Sequence, residues 1–387
     1  MLNFNYSIPT EIYFGKDQIK KLSSCVKKFG NTVLLAYGGG SIKKNGIYDE
    51  IINIFNSQNI KYVELSGIEP NPRVTSVIKG VNLCKEHNVD LILAVGGGSV
   101  IDCCKAIAGG VFYEGNPWDF CLRKAVIKKA VPIGTILTLS ATGSEMNGNA
   151  VITNWDTQEK LSFGSPYVKP KFSILDPTYT MTLPEKQTAA GTADIMSHVF
   201  EQYFSNTEET YITDRISEGI LKTCIHYAPI VIKEPENYDA RANLMWSSSL
   251  ALNELISYGK VTDWATHAME HELSAIFDIT HGVGLAILTP HWMEYVLSQS
   301  NVNKFVDYAR YVWEIPEIED KMSMAKSAIE KTKEFFISLG IPSTLKEVGI
   351  TEDKLEEMAE KAVKRGAIGN FKKLEKEDVL NIFKASF

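Results

Sequence analysis

Four side chains in the second half of the chain have the types and spacing to bind one divalent metal ion. Asp194 and His198 lie four residues apart in ADIMSHVFEQY, so a helix would direct both from one face. His267 lies in THAMEH and His281 in ITHGVG, which we place on a neighbouring helix and its exit loop. Three imidazoles and one carboxylate form a mixed nitrogen and oxygen ligand set that suits Fe²⁺, Zn²⁺ or a similar ion.

The residues from His267 to His271 permit a second interpretation. HAMEH matches H-x-x-E-H, the inverted zinc-protease motif, in which both histidines bind zinc and Glu270 acts as general base. That hypothesis needs a third ligand downstream and leaves Asp194 and His198 without a role. A plainer alternative is that Asp194 and His198 are a helix-surface pair and that the other histidines are core residues. The first half of the chain helps to choose between these alternatives.

Two glycine-rich turns lie there, and each follows an apolar run. TVLLAY at 32–37 precedes a GGGS turn at 38–41, and DLILAV at 90–95 precedes a second one at 96–99. A strand, a glycine turn and a helix N-terminus together present free N–H groups to an anion. Neither turn is a full G-x-G-x-x-G motif, because Ile101 occupies the third glycine position of the second one, and no Walker A lysine follows. Two turns in equivalent positions favour a bound nucleotide over simple strand-to-helix connections.

The exit of the first strand indicates which nucleotide binds. NAD sites usually place an acidic residue beside the adenosine ribose, where it hydrogen-bonds the 2′-hydroxyl. After Tyr37 the chain contains glycines, Ser41, Lys43 and Lys44, and no carboxylate before Asp49. The turn therefore has space, donors and positive charge for a 2′-phosphate, and we predict NADP(H).

The pattern of elements changes near residue 180. Before it, strand-like runs at 32–37, 60–65, 90–95, 131–137 and 172–176 alternate with helical patterns near 45–57, 73–87 and 99–109. This alternation is typical of a parallel sheet covered by helices on both faces. After Leu183-Pro184-Glu185, helical patterns dominate. We therefore predict an α/β dinucleotide-binding domain at 1–180 and an all-helical metal-binding domain at 181–387.

Composition excludes several partners. The formal net charge of -7 offers no basic surface for nucleic acid. No apolar run approaches the roughly 18 to 20 residues of a membrane helix, and MLNFNYSIPT does not resemble a signal peptide. The 6 cysteines show neither C-x-x-C nor disulfide-like spacing, which indicates a reducing cytoplasm.

Taken together, these motifs resemble the iron-containing (group III) alcohol dehydrogenases, and most closely their NADPH-dependent butanol dehydrogenase and broad aldehyde reductase branch. The resemblance spans the chain through TEIYFGKDQI, EPNPR, GGGSVID, LTLSATGSEMN, LDPTYTMTLP and HAMEH…THG. It implies a Rossmann-like α/β domain followed by an all-α domain, the two-domain architecture of dehydroquinate synthase. It also implies a homodimer and hydride transfer between NADP(H) and a short-chain alcohol or aldehyde such as butanol or butyraldehyde.

The resemblance also implies roles for individual residues. Asp194, His198, His267 and His281 would bind one catalytic ion, Fe²⁺ or Zn²⁺, with Co²⁺ and Mn²⁺ as alternatives. Catalysis would involve His267 as a ligand and His271 as a proton relay. Gly38 occupies the position where NAD-preferring relatives carry an aspartate. The implied cofactor-binding residues include positions in both glycine turns. They are Gly38, Gly39, Ser41, Asn71, Gly97, Gly98, Ser99, Asp102, Thr138, Leu139, Thr142, Asn147, Lys160 and Tyr179.

Other functions use the same elements. A glycerol dehydrogenase-like polyol oxidoreductase or a dehydroquinate synthase-like lyase would share the architecture and differ in its substrate pocket. A metal-binding or nucleotide-binding protein without catalytic activity is a further alternative.

Overall fold

The computed structural model describes residues 1–387, which form two compact units. An α/β unit contains Ser7–Leu183 and Pro235–Met245, and a helical unit contains Met1–Tyr6, Pro184–Glu234 and Trp246–Phe387. The predicted boundary between residues 180 and 181 lies close to Leu183. Two short segments depart from the predicted division: residues 1–6 belong to the helical unit, and residues 235–245 belong to the α/β unit.

The α/β unit is built on a parallel sheet of 6 strands and a separate antiparallel hairpin. The strands are β1 (Glu11–Phe14), β2 (Thr32–Tyr37), β3 (Lys61–Leu65), β4 (Leu91–Gly96), β5 (Ile133–Leu137), β6 (Asn149–Asn154), β7 (Glu159–Gly164) and β8 (Phe172–Leu175). The order in the sheet is β1-β8-β5-β4-β2-β3, and β6 pairs with β7. Because β4 lies inside the sheet, every one of its residues is buried, which explains its unbroken apolar sequence.

Alternate residues of these strands face two different cores. Leu34 and Ala36 of β2 contribute to one hydrophobic cluster, and Leu35 and Tyr37 contribute to the other. Because all strands are parallel, the glycine turns after β2 and β4 lie at the same edge of the sheet. The helices of this part of the chain are α1 (Leu22–Lys27), α2 (Ser41–Lys44), α3 (Ile47–Ser57), α4 (Val74–His87), α5 (Gly98–Gly110) and α6 (Trp118–Cys121).

The helical unit is organised around one buried helix. Its elements are α7 (Glu185–Tyr203), α8 (Tyr211–Lys233), α9 (Tyr238–Ala251, whose first half lies in the α/β unit), α10 (Ala265–Phe277), α11 (His281–Val296), α12 (Val302–Tyr311), α13 (Lys321–Ser338), α14 (Leu355–Ala362) and α15 (Lys376–Ala385). Helix α7 is buried from Thr188 to Tyr203 and packs against α8, α10 and α11. A helix buried on all sides can place polar residues only where partners satisfy them, so its acidic and histidine side chains are informative.

The predicted fold class is confirmed. The apolar runs correspond to all strands of the large sheet except β1, and the helices begin and end within a few residues of the predicted positions. The sequence analysis did not predict β1 or the β6–β7 hairpin. None of the helices combines the length and the apolar character that crossing a membrane requires.

Candidate active site

The predicted metal ligands come together in the helical unit. Helix α7 carries Asp194 and His198, α10 carries His267, and α11 begins at His281. Ligand atoms of Asp194, His267 and His281 all lie within 4.8 Å of one another. Nε2 of His267 and Nε2 of His281 are 3.9 Å and 3.8 Å from Oδ1 of Asp194. One carboxylate oxygen therefore lies at the centre of this group.

His198 completes the group from one turn further along α7. Its Nδ1 is 3.2 Å from Oδ1 of Asp194, and its Nε2 is 3.2 Å from Nε2 of His267. Burial first, and then the neighbouring imidazoles, hold the pKa of His198 well below its ordinary value. A neutral imidazole is the form that binds a metal.

A close backbone approach positions His281. A Cβ on Gly282 would lie 2.0 Å from the carbonyl oxygen of Ala190, so only glycine lets the start of α11 lie this close to α7. Ala190 precedes Asp194 by one turn of α7. This close contact at the start of α11 brings the side chain of His281 near the carboxylate of Asp194.

Glu201 holds His267 from behind and was not identified by the sequence analysis. Its side chain is fully buried, and Oε2 hydrogen-bonds Nδ1 of His267. Its Oε1 accepts hydrogen bonds from the backbone N–H groups of Thr266 at 2.7 Å and His267 at 3.2 Å. Burial alone would lower the pKa of His267, but the neighbouring carboxylates, Glu201 first and then Asp194 and Glu270, outweigh it and the pKa is raised. With Nδ1 bonded to a carboxylate, Nε2 is the nitrogen left for a metal.

Glu270 does the same for His281. It is fully buried, and Oε2 hydrogen-bonds Nδ1 of His281 while Oε1 accepts from the hydroxyl of Ser274. A general base must reach the water or substrate from which it takes a proton. Both oxygens of Glu270 have protein partners, so the structure does not support the H-x-x-E-H protease hypothesis for this residue.

His271 lies on α10 one turn beyond His267 and is partly exposed. Its ring centroid is 5.9 Å from that of His281, and a ligand atom of His271 lies within 4.8 Å of ligand atoms of Glu270 and His281. A proton relay would require His271 to lie beside the predicted metal ligands, and His271 does lie there. The relay role itself stays a prediction.

The sequence analysis also missed Trp264, which lies beside the predicted metal ligand His267. It precedes α10 with a φ of 71°, an uncommon backbone conformation for a bulky residue. Its ring centroid is 5.3 Å from that of His267, and its indole N–H donates to Thr262 at 2.7 Å. The adjacent Asp263 fixes this turn, because its carboxylate accepts three backbone N–H groups, from Ala265, Asn370 and Phe371.

The second glycine turn lies directly against the segment that follows β5. A Cβ on Gly98 would lie 2.4 Å from Oγ1 of Thr142, and one on Gly97 would lie 3.1 Å from Cβ of Leu139. The backbone N–H of Thr138 donates to the carbonyl of Gly96 at 3.1 Å. The structure thus brings together predicted cofactor-binding residues of both segments.

Polar side chains below this turn hold each other in place. Asp102 is partly buried, and its carboxylate accepts from the hydroxyl of Ser144 at 2.5 Å and the N–H of Val151 at 2.8 Å. Burial raises the pKa of Asp102. These bonds give Asp102 a structural role in supporting the turn. Its predicted contact with the cofactor stays a prediction.

Lys105, which the sequence analysis missed, lies at the centre of the same network. It is fully buried on α5 and donates to Ser144 at 2.7 Å, to Oδ1 of Asn147 at 3.0 Å and to the carbonyl of Asn149 at 2.7 Å. The side-chain amide of Asn147 also donates to the carbonyl of Gly143 at 2.9 Å. The lysine in the otherwise largely apolar sequence VIDCCKAIA was the signal that could have identified it.

The remaining predicted cofactor residues all belong to the α/β unit. Asn71 is buried with a φ of 52°, Lys160 is buried on β7, and the hydroxyl of Tyr179 donates to Glu50 at 3.3 Å. In the first turn, a Cβ on Gly38 would lie 3.2 Å from the carbonyl of Ile68, whereas one on Gly39 would meet nothing within 4 Å. Ser41 is exposed at the start of α2.

Comparisons with known proteins assign the chain to a family. A model of the iron-containing alcohol dehydrogenases matches residues 9–177, and a model of the C-terminal part of the Fe-containing alcohol dehydrogenase family matches residues 188–387. The chain belongs to the iron-containing alcohol dehydrogenase family. Membership confirms the predicted family and the predicted alcohol dehydrogenase or aldehyde reductase type of activity, and it implies a metal ion and a nicotinamide cofactor.

Relatives match the chain over all or nearly all of its length. It is 57% identical to NADH-dependent butanol dehydrogenase A of Clostridium acetobutylicum over 100% of both chains. It is 42% identical to the NADPH-dependent aldehyde reductase YqhD of Escherichia coli, over 95% of this chain and 94% of that one. The crystal structure of NADH-dependent butanol dehydrogenase A from Thermotoga maritima superposes with a TM-score of 0.96 at 40% identity, covering 100% of this chain and 99% of that one. These relatives are named for different nicotinamide cofactors, so they do not decide between NADH and NADPH.

Proposed function

We propose that this family member is an NADP(H)-dependent alcohol dehydrogenase or aldehyde reductase that acts on short straight-chain substrates such as butanol and butyraldehyde. The observation that carries the proposal is the group of Asp194, His267 and His281, whose ligand atoms lie within 4.8 Å of one another, together with His198, which lies 3.2 Å from both Asp194 and His267. Trp264 adds an apolar ring beside this group, which suits an alkyl substrate.

The residues fit a divalent ion. Each of two histidines has its outer nitrogen bonded to a buried carboxylate, His267 to Glu201 and His281 to Glu270. This arrangement is common behind metal-binding histidines, because it sets the ring orientation and the tautomer. An ion bound by these residues would supply a Lewis acid that polarises a carbonyl group.

The protein's own residues then perform the remaining tasks. Glu201 and Glu270 fix the two imidazoles, so that little reorganisation is required when the site is loaded. His271, which is partly exposed on α10, would hold and transfer the proton that the reduced carbonyl oxygen needs. The glycine turn at 96–99 would leave backbone N–H groups free for the pyrophosphate of the nicotinamide cofactor.

The preference for NADP(H) rests on the first glycine turn. Gly38 supplies no carboxylate for a 2′-hydroxyl, and Lys43 follows on α2. A Gly38→Asp substitution should therefore weaken NADPH far more than NADH. We expect the ratio of their kcat/KM values to move by about one to two decades, or roughly 1.4 to 3 kcal/mol, toward NADH.

The experiment measures kcat/KM with butyraldehyde for both cofactors in the wild type and in Gly38→Asp. The matched control is Gly38→Ala, which adds the same Cβ beside Ile68 without the charge. Metal content should remain unchanged, because the ligands belong to the helical unit. A wild type that prefers NADH, or an unchanged ratio in Gly38→Asp, would contradict the NADP(H) proposal. Faster turnover with glycerol than with butanol would favour a polyol oxidoreductase.

We further propose a cytoplasmic homodimer. All 6 cysteines are buried and free of disulfides, which supports a reducing compartment. Light scattering on the purified protein measures the assembly directly, and a monomer at micromolar concentration would contradict the dimer.

A further inference from the structure

A carboxylate from β3 hydrogen-bonds the residue that immediately precedes the first glycine turn, although the chain after Tyr37 contains no carboxylate before Asp49. Glu64 accepts hydrogen bonds from the hydroxyl of Tyr37 at 2.5 Å and from that of Tyr48 at 2.8 Å. Tyr37 is the residue immediately before Gly38. Burial would raise the pKa of Glu64, but the tyrosine hydroxyls and Lys43 outweigh it and hold the pKa below its ordinary value. Glu64 is therefore a negative charge at neutral pH.

Lys43 is the cation that faces this carboxylate. Its Nζ is 3.7 Å from Oε2 of Glu64, and it lies over the ring of Tyr48 at 4.4 Å and that of Tyr37 at 5.2 Å from the centroids. The Lys43 side chain is 48% exposed, so it retains access to solvent. The aromatic rings and the carboxylate together direct its ammonium group toward the strand that leads into the turn.

We propose that Glu64 and Lys43 form a charge pair that sets how strongly this enzyme discriminates a 2′-phosphate from a 2′-hydroxyl. The proposal rests on the proposed function in one respect, the binding of the adenosine end of the cofactor at the turn after β2. Lys43 supplies the cation for the phosphate. Glu64 opposes the phosphate through its like charge and also competes with it for Lys43.

Each member of the pair has a predictable effect because the charges are close and only partly screened. A charge-assisted contact with a phosphate is stronger than a neutral hydrogen bond, so the loss of Lys43 weakens the phosphorylated ligand selectively. Removal of the Glu64 charge takes away a repulsion and releases Lys43, and both changes favour the phosphate. When glutamine replaces Glu64, its oxygen still accepts from one tyrosine hydroxyl and its NH₂ group donates to the oxygen of the other, so the local packing is retained.

The test uses two fragments that differ only in the 2′-phosphate, adenosine 2′,5′-bisphosphate and adenosine 5′-monophosphate. Isothermal titration with the full-length protein gives the affinity ratio, and the kcat/KM ratio for NADPH and NADH gives a second measurement. Lys43→Met should lower both ratios about tenfold. Glu64→Gln should raise both about threefold, and in the double variant this gain should shrink, since part of it acts through Lys43.

Lys61→Met is the matched control, because Lys61 is an exposed lysine at the other end of β3. It should leave the ratios unchanged. Equal effects of Lys43→Met on both fragments, or no change of the ratios in Glu64→Gln, would overturn the inference. The ratio of the wild type alone tests the NADP(H) proposal, whereas the inference depends on how the variants change it. A wild type that prefers NADH would therefore refute the NADP(H) proposal without refuting the inference about Glu64 and Lys43.

Discussion

Replacing Glu201 by glutamine should lower the affinity for the metal by about 10-fold to 100-fold, although Glu201 is not a ligand. The side chain makes three hydrogen bonds, two from backbone N–H groups to Oε1 and one between Oε2 and Nδ1 of His267. Glutamine keeps the shape but converts one of the two oxygens into a donor. No orientation of the amide satisfies all three partners and also leaves Nε2 of His267 unprotonated for a metal.

The magnitude follows from the two orientations. With the amide oxygen toward the backbone N–H groups, the NH₂ group faces Nδ1 of His267 and moves the proton to Nε2, the nitrogen that the ion needs. In the opposite orientation the NH₂ group meets the N–H groups of Thr266 and His267, and each buried donor left unpaired costs about 1 to 3 kcal/mol. A 10-fold to 100-fold loss corresponds to about 1.4 to 2.8 kcal/mol, which lies within that range.

The assay titrates chelator-treated protein with Co²⁺, followed by visible absorption, and then with competing Zn²⁺. Glu185→Gln is the matched control, since Glu185 is an exposed glutamate at the start of the same helix. Circular dichroism verifies that each variant is folded. If folded Glu201→Gln bound Co²⁺ as tightly as the wild type, Glu201 would not orient His267 for the metal, and the proposed role would be refuted.

The other predictions concern the same centre. His267→Ala should abolish activity and lower metal content, because an incomplete ligand set remains, whereas His271→Ala should retain the metal and slow turnover; elemental analysis and kcat distinguish them. Loss of the metal in His271→Ala together with its retention in His281→Ala would instead support the H-x-x-E-H assignment. Gly282→Ala should cost about 1 to 3 kcal/mol of unfolding free energy and lower metal content, because its Cβ would overlap the carbonyl of Ala190. Urea denaturation measures the loss, and wild-type stability would show that the contact is easily relieved.

The fold was predictable where burial gives a strand a simple sequence pattern. The interior strand β4 is buried along its whole length, so DLILAV appears as an unbroken apolar run. β1 is a short edge strand with exposed ends, and EIYF lacks such a run. The β6–β7 hairpin is rich in polar residues, including Asn149, Thr153 and Lys160. These elements depend on pairing partners that a local window of sequence does not contain.

The candidate site shows the same division between local and long-range information. Asp194 and His198 were predictable because a helix places residues four apart on one face. The partner of His267 was not, because Glu201 lies 66 residues away and reaches it only through the packing of α7 against α10. Glu64 was missed for the same reason, since only the pairing of β2 with β3 brings it beside Tyr37.

HAMEH shows why a short motif cannot decide between two metal sites. Residues three and four apart share a helix face, so His267, Glu270 and His271 would cluster on α10 whatever their chemistry. The neighbouring helices decide the outcome: α7 brings Asp194 to His267, and the start of α11 brings His281 to Glu270. Glu270 thereby hydrogen-bonds the imidazole of His281 and is withdrawn from solvent. The glutamate that would have been the base of a protease therefore orients a histidine of the proposed metal site.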